Sequence, residues 1–284
     1  MFISNFADIV TKYKVIFFDA YGVLKNHKGL LPGIINTFEF LNANNIEYYI
    51  LTNDASRSPE LLAKAYQDKG LSHIHTDRLI SSGMLAHNWL SIKIKNGKVA
   101  YLGTELSAHY IESSGLETVP ISKLDLNDVD DIQCLVFLDD EGFDWNCDIN
   151  KTINLLRKKN IPAIVANTDI NYPVNRADIA VATGGISNLV EEVLGKHFIR
   201  FGKPDAQMFM YGYERASWSQ SLQRDDILMV GDTLFTDIIG GNQFGMDTAL
   251  VLTGNTLPQN AEMRIRYTGI IPTYVCESAV ISKK

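Results

Sequence analysis

The chain contains a run of four apolar residues, Val15-Ile16-Phe17-Phe18, that ends at Asp19 and a tight turn with Gly22. The run is too short for a helix, so it predicts a buried parallel strand. Similar runs recur and alternate with amphipathic helical patterns, which indicates βαβ units and a mostly parallel sheet. Asp19 should then lie at the carboxyl edge of the sheet, where open α/β folds bind ligands. The alternative is that Asp19 only caps the turn.

The predicted elements fall into two blocks. The first block has predicted strands and helices at 15–18, 32–44, 47–52, 59–69 and 79–82. The second block, from about Gly83 to about Lys196, has them at 99–102, 105–113, 134–138, 150–159, 163–166 and 186–194. The first pattern then resumes at 198–201, 206–216, 227–230, 234–244 and 248–252. We therefore predict a discontinuous core domain, residues 1–82 and 197–284, with a second α/β domain, residues 83–196, inserted into it.

Composition excludes several classes of protein. The chain has 284 residues, 46% hydrophobic and 21% charged, which is typical of a globular protein. Its net charge of -7 argues against a nucleic-acid or anionic-membrane partner. No apolar run approaches the roughly 18 residues of a membrane span, and the first ten residues lack the basic start of a secretory signal. Cys134, Cys147 and Cys276 have neither metal-type spacing nor an even count, which predicts a reducing cytoplasm.

Three acidic residues are predicted at one edge of the sheet. Asp232 and Asp237 follow an apolar strand and open a helix, and Asp19 ends a neighbouring strand. Three clustered carboxylates repel each other unless a cation neutralises them, and carboxylate oxygens suit Mg²⁺. The alternative is that Asp232 caps the helix and Asp237 is merely solvated.

Two further strand ends carry groups that could hold a phosphate. Thr52-Asn53 offers a hydroxyl, amide donors and nearby backbone amides. Lys203, between Gly202 and Pro204, offers an ammonium that could neutralise a phosphate and a nucleophile together. The alternatives are an ordinary turn for Thr52-Asn53 and a solvated surface lysine for Lys203.

The ordered set of these segments resembles a known superfamily. The segments Asp19-Ala20-Tyr21-Gly22, Thr52-Asn53, Lys203-Pro204 and Gly231-Asp232 with Asp237 are similar to motifs one to four of the haloacid dehalogenase (HAD) superfamily. Several further segments resemble the class IIA, NagD-like phosphatases of this superfamily: Pro32-Gly33, 52–58, 166–169, Tyr172-Pro173, 183–185 and 202–209. The resemblance implies a Rossmann-like HAD core with a doubly wound parallel sheet and a large α/β cap inserted between motifs two and three.

The resemblance also implies a Mg²⁺-dependent phosphatase of small phosphorylated metabolites such as sugar phosphates. Asp19 would be the nucleophile and would form an aspartyl-phosphate. Mg²⁺ would be held by Asp19, the main-chain carbonyl of Tyr21 and Asp232, with Asp237 contributing directly or through water.

Other positions follow from the same resemblance. Thr52 and Lys203 would hold the transferring phosphoryl oxygens, and Asn53 would position the substrate or a loop. In the cap, Asn167, Asp169 and the Gly184-Gly185 turn are candidates for contact with the rest of the substrate, with an ordinary turn as the alternative. The resemblance leaves the substrate open among sugar phosphates, phosphoglycolate, nucleoside monophosphates and pyridoxal phosphate, and it is compatible with a homo-oligomer formed through the cap.

Tyr21 departs from the phosphatase pattern, which has a second aspartate here as general acid and base. General acid–base help contributes about 10²- to 10⁴-fold in typical enzymes, so a slow phosphatase is expected unless His27 or a cap residue substitutes. Asp-Ala-Tyr-Gly also resembles the metal-independent 2-haloacid dehalogenases, whose leaving group needs no proton. Those enzymes lack the acidic motif four, which favours the phosphatase. A third alternative is a weakened enzyme that only binds a phosphorylated metabolite.

Overall fold

The computed structural model of the protein describes residues 2–175 and 178–282. Its strands in this part of the chain are β1 Val15–Phe18, β2 Lys25–Asn26, β3 Gly29–Leu30, β4 Glu47–Thr52, β5 Leu79–Ser81, β6 Lys98–Leu102, β7 Glu117–Pro120, β8 Ile132–Phe137, β9 Ala163–Val165, β10 Asn171–Pro173, β11 Ile179–Val181, β12 Ile199–Arg200, β13 Ile227–Gly231, β14 Asp247–Val251 and β15 Tyr274–Cys276. Its α-helices are α1 Phe6–Val10, α2 Ile34–Ala43, α3 Pro59–Gln67, α4 Ser82–Lys93, α5 His109–Glu112, α6 Trp145–Lys158, α7 Thr183–Leu194, α8 Ala206–Ala216, α9 Ile239–Phe244 and α10 Pro258–Thr268. A π-helical turn, Leu234–Ile238, leads directly into α9.

The larger sheet has the strand order β15-β14-β13-β1-β4-β5, and all its pairs are parallel. The side chains of β1 alternate between two hydrophobic clusters. Ile16 and Phe18 pack with residues of α2, whereas Val15 and Phe17 pack with residues of α8. Helices therefore cover both faces of this sheet, and the predicted doubly wound α/β fold is confirmed.

The second sheet has the order β12-β9-β8-β6-β7 and is also parallel. The strand predicted at 198–201 was assigned to the core, and this assignment is wrong. Ile199 lies beside Ile164, so β12 extends the sheet of the inserted block. A strand of two half-buried residues has too little pattern to identify its sheet. We retain the two-domain division as a proposal, with the return to the core placed after Arg200.

Some elements have no counterpart in the sequence prediction. Helix α4 continues directly from β5, and its buried face begins with Ser82 and Gly83 rather than with large apolar residues. Strand β7 is a partly exposed edge strand, and β10 and β11 form a short antiparallel hairpin. The helix predicted at 105–113 is reduced to α5. These elements lack the strong hydrophobic periodicity on which sequence prediction depends.

The two sheets are joined by continuous packing. Val15 and Phe17 of β1 belong to the same hydrophobic cluster as Val99 of β6 and Val136 of β8. A separate cluster fills the far face of the second sheet, around Leu135. Within the described residues, no helix combines the length and apolarity needed to cross a membrane.

Candidate active site

The three predicted carboxylates meet at one edge of the larger sheet. Strands β1 and β13 are paired in register through Phe18 and Val230, so Asp19 and Asp232 emerge side by side. Asp237 reaches the same point from the π-helical turn. One oxygen from each carboxylate lies within 4.8 Å of the others. Asp232 and Asp237 are buried, whereas Asp19 is partly exposed.

Asp232 is held rigidly by its neighbours. Its Oδ2 accepts the Asn255 amide N–H at 2.6 Å, and its Oδ1 accepts the Thr233 hydroxyl at 2.9 Å. A Cβ at Gly22 or Gly254 would come within 2.1 or 1.8 Å of this carboxylate, and Gly22 also has φ of +85°. Only glycine fits both requirements at position 22. The carboxylate does not cap the following helix, which argues against the helix-cap alternative for Asp232.

Lys203 lies beneath the carboxylates and is almost fully buried. Its ammonium pairs with Asp19, lies 2.9 Å from Asp237 Oδ1 and donates to the Leu51 carbonyl at 2.8 Å. Burial alone would lower the pKa of Lys203, but the surrounding carboxylates raise it above its ordinary value. The ammonium therefore stays charged, and Lys203 is not the solvated surface residue of the alternative interpretation.

The cluster is short of positive charge. Burial raises the pKa of Asp232 well above its usual range, and the charges of Asp19 and Asp237 raise it further. Burial raises the pKa of Asp237 to about 7, with Lys203 opposing and Asp19 adding to the rise. One lysine thus faces three carboxylates within a few ångströms. A divalent cation at this point would neutralise the repulsion, and oxygen donors suit a hard cation such as Mg²⁺.

Asn53 joins three segments of the chain. Its Oδ1 accepts the Lys203 amide N–H at 2.7 Å. Its Nδ2 lies 3.0 Å from Thr168 Oγ1, 2.9 Å from Asp169 Oδ1 and 3.1 Å from the Lys203 carbonyl. The neighbouring Thr52 hydroxyl accepts the Asp54 amide N–H at 3.1 Å. Asn53 is therefore fully engaged in fixing other residues, and Thr52 is the member of the pair that lines the cavity.

A cavity of about 310 Å³ lies above these groups. Among the core residues that line it, we call five the floor: Asp19, Thr52, Lys203, Asp232 and Asp237. We call the lining residues from the inserted block the roof: Asp139, Asp140, Glu141, Asn167, Asp169, Asn171, Tyr172, Pro173 and Ala182. The floor can bind an anion and a cation together, and the roof faces whatever is attached to the anion.

Tyr21 connects the core to the roof. Its hydroxyl donates to the Pro173 carbonyl at 2.8 Å, and its ring meets the Tyr172 ring edge-on at 6.3 Å between centroids. The Tyr172 hydroxyl in turn donates to Asp140 Oδ2 at 3.1 Å. Burial raises the pKa of Tyr21 above its ordinary value. Its hydroxyl is therefore a hydrogen-bond donor to the cap and is unsuited to act as a base near neutral pH.

Two predicted candidates have other positions in the structure. His27 lies exposed in the turn between β2 and β3 and does not line the cavity. Gly184 and Gly185 belong to the first turn of α7 rather than to a loop. A Cβ at Gly184 would lie 2.4 Å from the Thr168 carbonyl oxygen, so these glycines allow the helix to pack against the segment that carries Asp169.

Asn167 and Asp169 both line the cavity. The Asn167 side chain also accepts the Asp169 amide N–H at 3.0 Å, which fixes the turn between them. Sequence reasoning missed the acidic pair Asp139-Asp140 and the contribution of Asn255. The acidic pair follows β8 after one residue, Leu138, much as Asp19 follows β1, and this is a usable signal. Asn255 lies in a loop with no pattern that points to Asp232.

Comparisons with known proteins agree with this architecture. Models of haloacid dehalogenase-like hydrolases match residues 16–117 and 200–279. A solved structure from Cytophaga hutchinsonii, described as a possible sugar phosphatase of the HAD superfamily, is 55% identical over 100% of both chains, with a TM-score of 0.96. The dihydroxyacetone phosphatase of Corynebacterium glutamicum is 27% identical over 92% of this chain and 87% of its own.

A more distant structure shares the fold. The glycerol phosphate phosphatase of Mycobacterium tuberculosis, solved in complex with magnesium, is 21% identical over 98% of this chain and 78% of its own, with a TM-score of 0.75. A structure described as a putative NagD protein is 24% identical and has a TM-score of 0.72. The chain therefore belongs to the haloacid dehalogenase superfamily.

Proposed function

We propose that this protein is a Mg²⁺-dependent phosphatase of small phosphorylated metabolites such as sugar phosphates. The observation that carries the proposal is the convergence of Asp19, Lys203 and the acidic pair Asp232 and Asp237 on the cavity floor. A nucleophilic carboxylate, a fixed ammonium and a cation-binding group are the parts that phosphoryl transfer requires.

The reaction proceeds in two displacements at phosphorus. An oxygen of Asp19 attacks phosphorus, the bond to the leaving oxygen breaks, and an aspartyl-phosphate forms. Water then attacks phosphorus, which releases inorganic phosphate and restores Asp19. Lys203 and the Thr52 hydroxyl hold phosphoryl oxygens, and the charge of Lys203 stabilises the negative charge shared by phosphate and nucleophile.

The donor set fits a magnesium ion. Asp19, Asp232 and Asp237 would supply carboxylate oxygens. The Tyr21 carbonyl would supply a further oxygen. It is free to do so because the backbone hydrogen bonds of the bridge between Tyr21 and Lys25 are accepted by the Ala20 and Lys25 carbonyls. Mg²⁺, when bound, would neutralise charge on the transferring phosphoryl group.

The size and the composition of the cavity support a small, polar substrate. About 310 Å³ accommodates a phosphate with a short sugar or triol, and the roof offers hydroxyl, amide and carboxylate groups to its hydroxyls. The relatives described as sugar and dihydroxyacetone phosphatases support the same substrate class. The three free cysteines support a reducing compartment, and we place the enzyme in the cytoplasm.

The same floor argues against a metal-independent dehalogenase. Such chemistry gives no reason to bury two further carboxylates beside the nucleophile, whereas cation binding does. The structure thus favours phosphoryl transfer despite the tyrosine at position 21.

A screen of phosphorylated metabolites with Mg²⁺, run on the wild type and on Asp19→Asn, tests the proposal. We expect phosphate release by the wild type that requires Mg²⁺ and a loss of at least about 10⁴-fold in the variant. Phosphatase activity that survives Asp19→Asn would show that Asp19 is not the nucleophile. Halide release from a 2-haloacid without metal would select the dehalogenase, and metabolite binding without turnover would select a binding protein.

A further inference from the structure

A phosphatase that acts on sugar phosphates must supply a proton to the leaving oxygen. An alkoxide is a poor leaving group, so a general acid is needed, and the same group can later activate water as a base. Tyr21 stands where that acid is expected, but its hydroxyl already donates to the Pro173 carbonyl. The proton must therefore come from another group that lines the cavity.

Five carboxyl groups outside the floor line this cavity: Asp54, Asp139, Asp140, Glu141 and Asp169. Asp54 is engaged by both the amide and the hydroxyl of Ser56 and by Lys25 at 3.9 Å. Asp140 accepts the Tyr172 hydroxyl. Asp139, Asp140 and the exposed Glu141 all lie in the loop that follows β8. Each of them, like Asp169, keeps at least one oxygen without a hydrogen-bond partner among residues 2–175 and 178–282.

Asp169 is the one tied to the reacting groups. Its Oδ1 lies 2.9 Å from Asn53 Nδ2, and the other end of the same amide accepts the Lys203 amide N–H. Lys203 in turn pairs with Asp19. Asp169 Oδ2 has no hydrogen-bond partner within 2–175 and 178–282, and it is not among the buried unsatisfied atoms. One oxygen is thus fixed by the core, and the other is open to the cavity.

From this placement we propose that Asp169, a cap residue, is the general acid and base that replaces the missing aspartate at position 21. The inference rests on the proposed phosphatase function. In the first displacement, the Asp169 carboxylic acid gives its proton to the leaving oxygen as that oxygen separates from phosphorus. In the second, the resulting carboxylate takes a proton from the attacking water, and this restores the acid.

The surroundings of Asp169 support its use in both forms. Burial raises its pKa to about 6, the positive charge of Lys203 opposes this rise, and Asp19 and Asp54 add to it. The group would be partly protonated near neutral pH, as the two steps require. The backbone beneath it is also held, since the Gly184 amide N–H donates to the Asp169 carbonyl at 2.9 Å.

The test compares Asp169→Asn with the wild type on two kinds of substrate. Alkyl phosphates, such as glycerol phosphate, dihydroxyacetone phosphate and glucose phosphate, need a proton on the leaving oxygen, whereas p-nitrophenyl phosphate releases a stable phenolate. We expect kcat/KM for the alkyl substrates to fall by about 10²- to 10⁴-fold and kcat/KM for the aryl substrate to change by less than about fivefold. Rapid mixing with the aryl substrate should show a burst of phenolate of about one equivalent, because the second step lacks its base.

Asp139→Asn is the matched control, since it removes another carboxyl of the roof that keeps an uncommitted oxygen. It should give no burst of phenolate with the aryl substrate, because Asp169 remains to activate water in the second step. Tyr21→Asp placed in the Asp169→Asn background should recover at least about tenfold of the alkyl activity. An equal loss on both substrates in Asp169→Asn, or a burst of phenolate in Asp139→Asn, would overturn the assignment. A wild type that hydrolyses no phosphate ester would instead reject the proposed function itself.

Discussion

The floor and the roof of the cavity both present carboxylates, but they hold them differently. On the floor, both oxygens of Asp232 accept hydrogen bonds and two glycines pack against it. On the roof, Asp139 accepts one backbone N–H and Asp140 one tyrosine hydroxyl. The floor is thus a fixed set of charges suited to the phosphate, which all the proposed substrates share. The roof keeps polar oxygens available for the part of the substrate that varies.

The largest loss of stability and activity should come from removing the ammonium group of Lys203 from the floor. Lys203→Met leaves Asp19 and Asp237 without their partner, so we expect the metal-free protein to lose about 3–5 kcal/mol of unfolding free energy. Phosphatase activity should fall by at least about 10³-fold. Urea unfolding and steady-state kinetics measure the two effects. The control is Lys25→Met, whose partner Asp54 is 3.9 Å away and partly exposed, and which should cost less than about 1 kcal/mol. Equal costs for both lysines would mean that the floor is no more rigid than its surroundings.

Gly22→Ala tests whether the rigid packing of Asp232 matters for metal binding. The new Cβ would lie 2.1 Å from Asp232 Oδ2, and φ is +85°, so we expect a cost of about 2–3 kcal/mol. The rise in Tm caused by Mg²⁺ should also disappear. Gly29→Ala is the control, because φ is +113° there and no atom lies within 4 Å of the added Cβ. The idea fails if the two variants respond alike to Mg²⁺.

The carboxyl groups of the roof should make the stability of the protein depend on pH. Burial, followed by the charge of Asp140, raises the pKa of Asp139 to about 6. The folded state then binds more protons than the unfolded state between about pH 4 and 6, so this group reduces stability as pH rises through that window. Asp139→Asn should add roughly 1–3 kcal/mol at pH 8 and almost nothing at pH 4. The exposed Glu141, as Glu141→Gln, should change stability by less than about 0.5 kcal/mol at either pH.

The smallest effect is expected at the contact between the floor and the roof. Tyr21→Phe removes only the hydrogen bond to the Pro173 carbonyl and should cost about 1 kcal/mol, measured by thermal unfolding. Because Tyr21 is not the general acid in this proposal, kcat/KM should change by less than about tenfold. Tyr267→Phe, at a tyrosine that is 90% exposed, provides the baseline. A drop in activity of 10³-fold with no change in stability would give Tyr21 a chemical role after all.

The floor and the larger sheet were predictable because their signals are local. Asp19 and Asp232 directly follow short apolar strands and Thr52 ends one, and parallel strands bring their carboxyl ends to one edge. Asp19, Thr52 and Asp232 could therefore be placed together from sequence order alone.

The roof was less predictable because its contacts link distant, weakly patterned segments. The hydrogen bond from Tyr21 to the Pro173 carbonyl spans 152 residues and ends on a hairpin strand of three half-buried residues. Strand β12 was assigned to the wrong sheet for the same reason, since two residues carry no periodicity. Asn255, held against Asp232 by a loop, gives no signal at all in the sequence.

The contacts of Asn53 have a consequence for protein engineering. The buried Asn53 amide is hydrogen-bonded to Lys203, where the chain returns to the core, and to both Thr168 and Asp169 in the inserted block. A cap taken from another member of the superfamily would place its own residues at positions 168 and 169 against the Asn53 amide. Residues 53, 168, 169 and 203 should therefore be exchanged as one unit, and a chimaera that divides them would leave an unsatisfied amide at the centre of the molecule.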